Sequence, residues 1–184
     1  LDPLPPWHRR LSAATDSLHT HAGAESGRGN DPHVSCESLN GKNGITMNPV
    51  LAVTMGDPAG IGAEIIVKAF QDQRVFERAQ PVVIGSIACL ERAAAETGIA
   101  MGFRRLTGLG QMRDDCHTVQ VLEPVVLDCN AFQIGEVSAT CGKAAVGWFE
   151  TAIRLCSEGS VQGVVTCPIN KEAVHLAGFH GDIG

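Results

Sequence analysis

A glycine-rich acidic turn between a predicted strand and a predicted helix is the first place where this sequence could do chemistry. The run Val50–Phe70 reads V-L-A-V-T-M-G-D-P-A-G-I-G-A-E-I-I-V-K-A-F. Gly56, Gly60 and Gly62 permit positive φ and a close approach of the backbone to another group. The free amides that begin the following helix favour anions. The pattern therefore predicts a phosphate or nucleotide site at this turn, with Asp57 beside it.

The same turn has a purely structural interpretation. It contains neither G-x-G-x-x-G nor the G-K-[ST] ending of a P-loop, so neither standard nucleotide motif applies. Tight turns between a strand and a helix prefer Gly, Asp and Pro for conformational reasons alone. Asp57 is then either a turn residue resembling a helix cap or a polar group that faces a ligand. Both interpretations stay open at this point.

A second candidate segment, T-C-P-I-N-K at Thr166–Lys171, follows another predicted strand. Ligands of open α/β sheets bind at the carboxyl ends of the strands, where this segment is expected. Lys171 offers a cation for a phosphate or a carboxylate, and Asn170 offers an amide. The alternative is that Asn170 caps a helix and Lys171 is a solvated residue of its first turn.

The elements that must position these two segments alternate between strands and helices. The best helical pattern contains Trp148 and Phe149, which we expect to pack on a sheet rather than on a ligand. Ser138 can cap its start and Gly159 its end. We predict an α/β fold with a mainly parallel sheet and helices on both faces. The predicted strands are Val50–Thr54, Pro81–Gly85, Thr118–Leu122 and Gly163–Thr166; the helices are Ile61–Phe70, Ile87–Thr97, about Cys141–Cys156 and Lys171–Ala177; Arg104–His117 is predicted to be irregular.

Residues 1–46 differ from the rest of the chain. They are rich in Ser, His, Gly, Asn and Asp and show no sustained helical or strand period. We predict a disordered or non-native arm at 1–46, with the folded part at 47–184 and Met47 as the natural start.

Composition excludes several classes of function. A formal charge of −6 and a pI near 5.6 argue against binding to nucleic acid or an anionic membrane, since both need clustered positive charge. No apolar run approaches the ~20 residues of a membrane helix, and no secretory signal is recognisable. A cytoplasmic protein is expected. No C-x-x-C or H-E-x-x-H spacing indicates a metal site within this sequence.

Three segments taken in order resemble 4-hydroxythreonine-4-phosphate dehydrogenase and its relatives acting on 4-phospho-D-threonate or 4-phospho-D-erythronate. They are M-G-D-P-A-G-I-G-A-E at Met55–Glu64, G-E-V-S-A-T-C-G-K-A-A at Gly135–Ala145, and V-V-T-C-P-I-N-K-E-A at Val164–Ala173. Their order and separation match the family, and the resemblance covers Met47 to Gly184.

The resemblance implies an NAD-dependent, divalent-metal-assisted oxidation of a phosphorylated hydroxy acid, followed by decarboxylation. Its best-known setting is pyridoxal phosphate biosynthesis, with 4-phosphooxy-L-threonine as substrate. It also implies an isopropylmalate-dehydrogenase-like fold, incomplete at the carboxyl terminus, and a homodimer when the protein is full length. The non-Rossmann nucleotide site of that fold would account for the missing G-x-G-x-x-G.

The resemblance assigns only some of the family's site residues to positions in this sequence. The resemblance implies that Asp57, Gly60 and Gly62 form the wall of the active site on the cofactor side. It implies that Lys171 is the catalytic cation on the substrate side. The metal ligands and the main phosphate-binding residues are expected downstream of Gly184, so the chain resembles an amino-terminal fragment, inactive alone. The alternatives are a threonate or erythronate phosphate dehydrogenase, a noncatalytic α/β module that binds a phosphorylated metabolite, and a product without a function of its own.

Overall fold

The computed structural model describes residues 48–116 and 118–180. The predicted arm at 1–46 and His117 lie outside the described residues. The elements in chain order are β1 Val50–Thr54, α1 Gly62–Ala69, α2 Arg74–Arg78, β2 Gln80–Ile84, α3 Ile87–Thr97, β3 Gly102–Leu106, a 3₁₀ turn Leu109–Gln111, β4 Thr118–Leu122, α4 Ala139–Ser157, β5 Gly163–Thr166 and α5 Lys171–Leu176.

The five described strands form one sheet in the order β3-β4-β2-β1-β5. All four pairings among them are parallel, for example Val53 beside Val83 on β2 and beside Val165 on β5. The predicted parallel α/β sheet is therefore confirmed.

Both faces of the central strands are covered. Val82, Val83 and Ile84 follow one another on β2 and each is 0% exposed. Successive side chains of a strand point to opposite faces, so burial of three in a row requires packing on both sides. Packing on both faces of the sheet explains why these strands are continuous apolar runs in the sequence.

The direction of the chain connections explains how the helices are divided between the two faces. From β1 to β2 the chain moves one way along the sheet, whereas from β4 to β5 it crosses to the other side of β1. Right-handed crossovers in opposite directions place their helices on opposite faces. In agreement, α1 packs against α3, and α4 packs against α5 and against β1 and β5. Neighbouring strands β1 and β5 therefore lead to helices on opposite faces, which is the switch point of a parallel sheet.

The secondary structure differs from the prediction in three places. The predicted irregular segment Arg104–His117 begins inside a strand, because Gly102–Leu106 pairs with β4 along its whole length. The short helix Arg74–Arg78 was not predicted. The predicted start of α1 also differs, since Ile61 is 60% exposed and precedes the helix.

The longest helix among the described residues, α4, follows its prediction closely. Trp148 is 0% exposed in the core, which confirms that this aromatic side chain packs inside the protein. Ser138 occupies the N-cap position but its side chain makes no capping bond, and Gly159 follows the C-cap with φ +73°. No helix in the described part of the chain is long and apolar enough to cross a membrane.

Candidate functional site

The turn after β1 and the segment after β5 are joined directly. The amide of Cys167 donates to the carbonyl of Thr54 across 3.0 Å, and the amide of Asp57 donates to the carbonyl of Pro168 across 3.0 Å. The two segments singled out in the sequence therefore meet at the carboxyl ends of neighbouring strands. This is the crevice position at which parallel sheets bind ligands.

Gly56 has the conformation and the surroundings that require glycine. Its φ is +72°, and a Cβ atom there would lie 2.3 Å from the carbonyl oxygen of Pro168. Both the left-handed backbone and the close contact exclude a larger residue. The group that lies close to Gly56 is the backbone of the segment after β5. Gly56 therefore allows the two segments to come together.

Asp57 is the acidic residue of the turn and is only 7% exposed. Its Oδ1 accepts a hydrogen bond from the amide of Ala59 at 2.9 Å, and its carbonyl accepts one from the amide of Gly60 at 3.0 Å. This is the side-chain-to-backbone bonding of an Asx turn. The turn-residue interpretation of Asp57 thus has direct geometric support.

Gly60 and Gly62, the other two predicted binding glycines, differ from each other. Neither has positive φ. Gly60 is exposed. Gly62 is buried, and a Cβ there would lie 1.9 Å from the carbonyl oxygen of Met55. Gly62 therefore lets α1 start close to the end of β1, whereas Gly60 leaves the turn open to solvent.

The amides of the turn are mostly used inside the protein. Those of Asp57, Ala59 and Gly60 all donate to groups of the chain itself. The first-turn amides of α1 are donors that an anion could use, because the opening amides of any helix have no partner within it. The helix amides are also the donors that the sequence analysis predicts for an anion.

The family-like segment Gly135–Ala145, which includes the start of α4, also contacts the turn after β1. The amide of Gly135 donates to the carbonyl of Ala59 across 2.8 Å. Burial raises the pKa of the Cys141 thiol, and the nearby Asp57 charge raises the pKa further, while hydrogen bonds with Ser138 and with the Ala59 backbone oppose the shift. Cys141 is therefore a protonated packing residue beside Asp57.

A close contact between α4 and α5 completes the arrangement. A Cβ at Gly142 would lie 2.0 Å from the carbonyl oxygen of Ala173. Sequence reasoning did not single out Gly142; the available signal was a glycine in the first turn of a strongly periodic helix, where it costs helix stability unless packing requires it. Gly142 sets how near α5 lies to the start of α4.

Lys171 is the first residue of α5 and is exposed to solvent. Asn170 precedes it as the N-cap, and its Oδ1 accepts a hydrogen bond from the amide of Ala173 at 3.1 Å. The capping interpretation of Asn170 is therefore confirmed. Among the described residues, Lys171 forms no ion pair, so its ammonium group is available at the rim that also carries Asp57.

Thr54 ends β1 just before the turn and is 1% exposed. Its hydroxyl oxygen has no hydrogen-bond partner among the described residues. The hydroxyl of the other strand-end residue, Thr166, belongs to an exposed side chain. The carboxyl edge of the sheet thus combines a buried hydroxyl, a buried carboxylate and an exposed ammonium group.

The described residues do not supply a metal centre. No three His, Cys, Asp or Glu side chains in the described part lie close enough together to hold a metal ion. The rings of His175 and His180 are 6.0 Å apart, at a tilt of 42°. A pair of imidazoles without a third ligand does not make a zinc or magnesium site.

A shallow pocket lies away from these loops. Its lining includes Pro81, Arg113, Asp114 and Gln120. The pocket is near the amino-terminal end of β2, which starts at Gln80, whereas the joined segments lie at the carboxyl ends. We place the candidate site at the carboxyl edge, because ligands of parallel sheets bind there.

Comparison with known proteins identifies relatives of this chain. A model of the family described as "Pyridoxal phosphate biosynthetic protein PdxA" matches residues 77–182. A "Putative D-threonate 4-phosphate dehydrogenase" of Oceanobacillus iheyensis is 35% identical over 135 residues, which cover 73% of this chain and 40% of that protein. A "4-hydroxythreonine-4-phosphate dehydrogenase" of Beijerinckia indica is 38% identical over 136 residues, covering 74% of this chain and 40% of that protein.

A solved structure shows the same similarity in three dimensions. The crystal structure of a 4-hydroxythreonine-4-phosphate dehydrogenase from Burkholderia phymatum matches with a TM-score of 0.68 and 35% identity, over 71% of this chain and 39% of that chain. The chain thus spans about 40% of the length of the curated relatives it matches.

Proposed function

The chain belongs to the family described as pyridoxal phosphate biosynthetic protein PdxA, and from this premise we propose that it supplies one wall of a dehydrogenase active site. The proposed reaction is the NAD-dependent, divalent-metal-assisted oxidation of 4-phosphooxy-L-threonine, with decarboxylation, in pyridoxal phosphate biosynthesis. The observation that carries the proposal is the hydrogen bond between Asp57 and Pro168. It joins two of the family-like segments at the switch point of the sheet.

A second substrate class has specific support. Two relatives at 35% identity, from Oceanobacillus iheyensis and Symbiobacterium thermophilum, are named putative D-threonate 4-phosphate dehydrogenases. The relative at 38% identity is named for hydroxythreonine phosphate. All of these names describe a phosphorylated four-carbon hydroxy acid. We therefore keep 4-phospho-D-threonate, with 4-phospho-D-erythronate, as the alternative substrate.

Lys171 is proposed as the cation on the substrate side. Its exposed position at the start of α5 lets the ammonium group approach a phosphate or a carboxylate without losing an existing ion pair among the described residues. A flexible side chain with a point charge is suited to attracting and orienting an anionic substrate. In this role Lys171 contributes binding and orientation.

NAD is proposed as the cofactor, and it supplies the acceptor for a hydride from the substrate alcohol. Gly60 leaves an exposed turn at the carboxyl edge, and the first amides of α1 are the donors that this edge can offer to an anionic group. Asp57 holds the turn in shape through Ala59. Gly62 acts by close packing on Met55. The residues present therefore fit one side of a nucleotide site.

The proposed metal does not fit the described residues, which contain no cluster able to hold it. We propose that its ligands belong to the part of the relatives that this chain does not span. The same reasoning leads us to propose that these 184 residues are inactive alone. Cytoplasmic location, a homodimer in the full-length protein and the absence of a nucleic-acid or membrane partner belong to the same proposal.

The test is an assay of the whole protein in which this sequence occurs. The protein is mixed with NAD, a divalent metal and each of the three phosphorylated acids in turn, and NADH absorbance is followed. We expect NADH with one acid and much less with the other two. Binding of an acid by calorimetry without NADH would instead support the noncatalytic module, and neither binding nor NADH would overturn the proposal.

A further inference from the structure

Two free cysteines from distant parts of the sequence lie side by side. The Sγ atoms of Cys89 and Cys129 are 3.0 Å apart, and both residues are free thiols. A disulfide bond needs these atoms at about 2.05 Å. A movement of about 1 Å therefore separates the present arrangement from a covalent link.

The two thiols differ in their access to solvent. Cys89 lies in the first turn of α3 and is 1% exposed, whereas Cys129 is half-buried in the loop that connects β4 to α4. The hydroxyl of Ser86 also lies 3.9 Å from the Cys129 sulfur. Cys129 is thus the sulfur that a small molecule from solvent can reach first.

The loop that carries Cys129 is already docked on α3. The guanidinium carbon of Arg92, on α3, lies 5.4 Å from the ring centre of Phe132, which follows Cys129 in the same loop. Phe132 itself is buried. The segments that a link would join are therefore in contact before any bond forms, which limits the strain of forming it.

We propose that Cys89 and Cys129 are an oxidisable pair that forms an internal disulfide when it meets a low-molecular-weight disulfide such as oxidised glutathione. The Cys129 thiolate attacks one sulfur of the reagent, forms a mixed disulfide and expels the first small thiolate. Cys89 then loses its proton and attacks the Cys129 sulfur, which expels the second small thiolate. Two protein thiols become one disulfide, and the reagent is reduced to two thiols that take the two protons.

The order of attack follows from the environment of each sulfur. Burial raises the pKa of the Cys89 thiol to about 12, and the neighbouring Cys129 thiol adds to the shift. Cys89 therefore stays protonated in the folded chain and reacts poorly with reagents from solvent. Its closeness to Cys129 makes the second step intramolecular, which compensates for the weak ionisation.

The link would act on the candidate site through the loop. The same loop contains Gly135, whose amide donates to the carbonyl of Ala59 in the turn after β1. A disulfide at Cys129 would tie this loop to α3 and restrict its movement beside that turn. The inference rests on the sulfur geometry and does not depend on the proposed function.

The experiment is oxidation of the folded chain with oxidised glutathione, followed by acid quenching and peptide mapping. Cleavage after Arg, Lys, Asp and Glu leaves Cys89 and Cys129 on separate peptides that contain no other cysteine. We expect the Cys89–Cys129 linked pair to exceed every other linked pair by about tenfold. The protein should lose two hydrogens and retain no glutathione. Amide exchange at Gly135 should be slower in the oxidised chain than in the reduced chain.

Two variants and one condition serve as controls. Cys129→Ser should abolish the linked pair and leave Cys89 unmodified, whereas Cys156→Ser, which removes a half-buried thiol from α4, should leave the pair unchanged. The preference for this pair should disappear in concentrated urea. A stable glutathione adduct on Cys129 without the link, or equal linking among several cysteines in the folded chain, would overturn the proposal.

Discussion

The amide of Asp57 donates to the carbonyl of Pro168 across 3.0 Å, although the two residues follow different strands. The bond closes the carboxyl edge of the sheet between β1 and β5, whose following helices lie on opposite faces. The turn around Gly56 and the rim that carries Lys171 are therefore parts of one structural unit. A change in either segment is expected to affect the other.

Gly56→Ala should destabilise the chain strongly. The left-handed φ of +72° costs a residue with Cβ about 1–2 kcal/mol, and the new atom would also meet the carbonyl oxygen of Pro168 at 2.3 Å. We expect a total loss of about 3 kcal/mol or more in the free energy of unfolding. Urea denaturation followed by circular dichroism measures it.

Gly98→Ala is the matched control for that change. Gly98 has a similar φ of +69°, but a Cβ there would meet nothing within 4 Å, so only the backbone cost of about 1–2 kcal/mol should appear. Equal losses in the two variants would show that the contact with Pro168 contributes nothing.

Gly142→Ala should separate α4 from α5. The added methyl group would lie 2.0 Å from the carbonyl oxygen of Ala173, although alanine favours a helix over glycine by about 1 kcal/mol. We expect a net loss of about 1–3 kcal/mol. Gly147→Ala, on the same helix, meets only the side chain of Val125, and it should cost less. A stabilised Gly142→Ala would contradict the close packing of the two helices.

Asp57 can be tested for its two roles with two substitutions. Asp57→Ala removes the acceptor for the Ala59 amide and should lower the free energy of unfolding by about 1–3 kcal/mol. Asp57→Asn keeps an acceptor oxygen, so its loss should be smaller. If the Asn variant of the whole protein is stable but produces much less NADH, the carboxylate also contacts a ligand. Unchanged stability in the Ala variant would disprove the turn role.

Lys171→Met should affect substrate binding more than stability. Lys171 is exposed and has no ion pair in the described part of the chain, so the free energy of unfolding should change by less than about 0.5 kcal/mol. In the whole protein in which this sequence occurs, we expect KM for the phosphorylated acid to rise about tenfold or more. Lys143→Met, at an exposed position on α4, is the control. Equal KM values for the two variants would show that Lys171 does not bind the substrate.

Alkaline conditions should weaken the fold through Cys89. Burial raises the pKa of this thiol to about 12, whereas the unfolded thiol ionises near 8.5. Between these values the folded chain binds more protons than the unfolded chain, so the free energy of unfolding falls as pH rises. Below about pH 8.5 this contribution is fully present.

The measurement is the urea midpoint of the reduced chain at about pH 8 and about pH 10. Cys89→Ala should show a smaller alkaline loss than the unsubstituted chain. Some loss should remain, because burial also raises the pKa of the Cys141 and Cys167 thiols. Cys156→Ala is the control with a thiol removed elsewhere. If Cys89→Ala and the unsubstituted chain lose the same stability between these two pH values, the prediction is wrong.

The sequence predicted the buried strands and the periodic helices well, because their signals are local. Continuous apolar runs such as Val82–Ile84 and the stripe around Trp148 require burial wherever they occur. Strand β3 was missed because it contains two adjacent arginines, whose side-chain partners lie outside the strand. Arg104 donates to the side chain of Gln120, and Arg105 forms an ion pair with Glu123 at 2.6 Å.

What the sequence determined by itself was the chemistry available near two strand ends, since residue type and spacing place Asp57 and Lys171 in the segments that follow apolar runs. Only the tertiary structure decided which of the glycines serve packing, because a contact such as that between Gly142 and Ala173 depends on two helices meeting. The pairing of Cys89 with Cys129 has the same origin. Local patterns specify elements, whereas contacts between distant segments arise from the way those elements pack together.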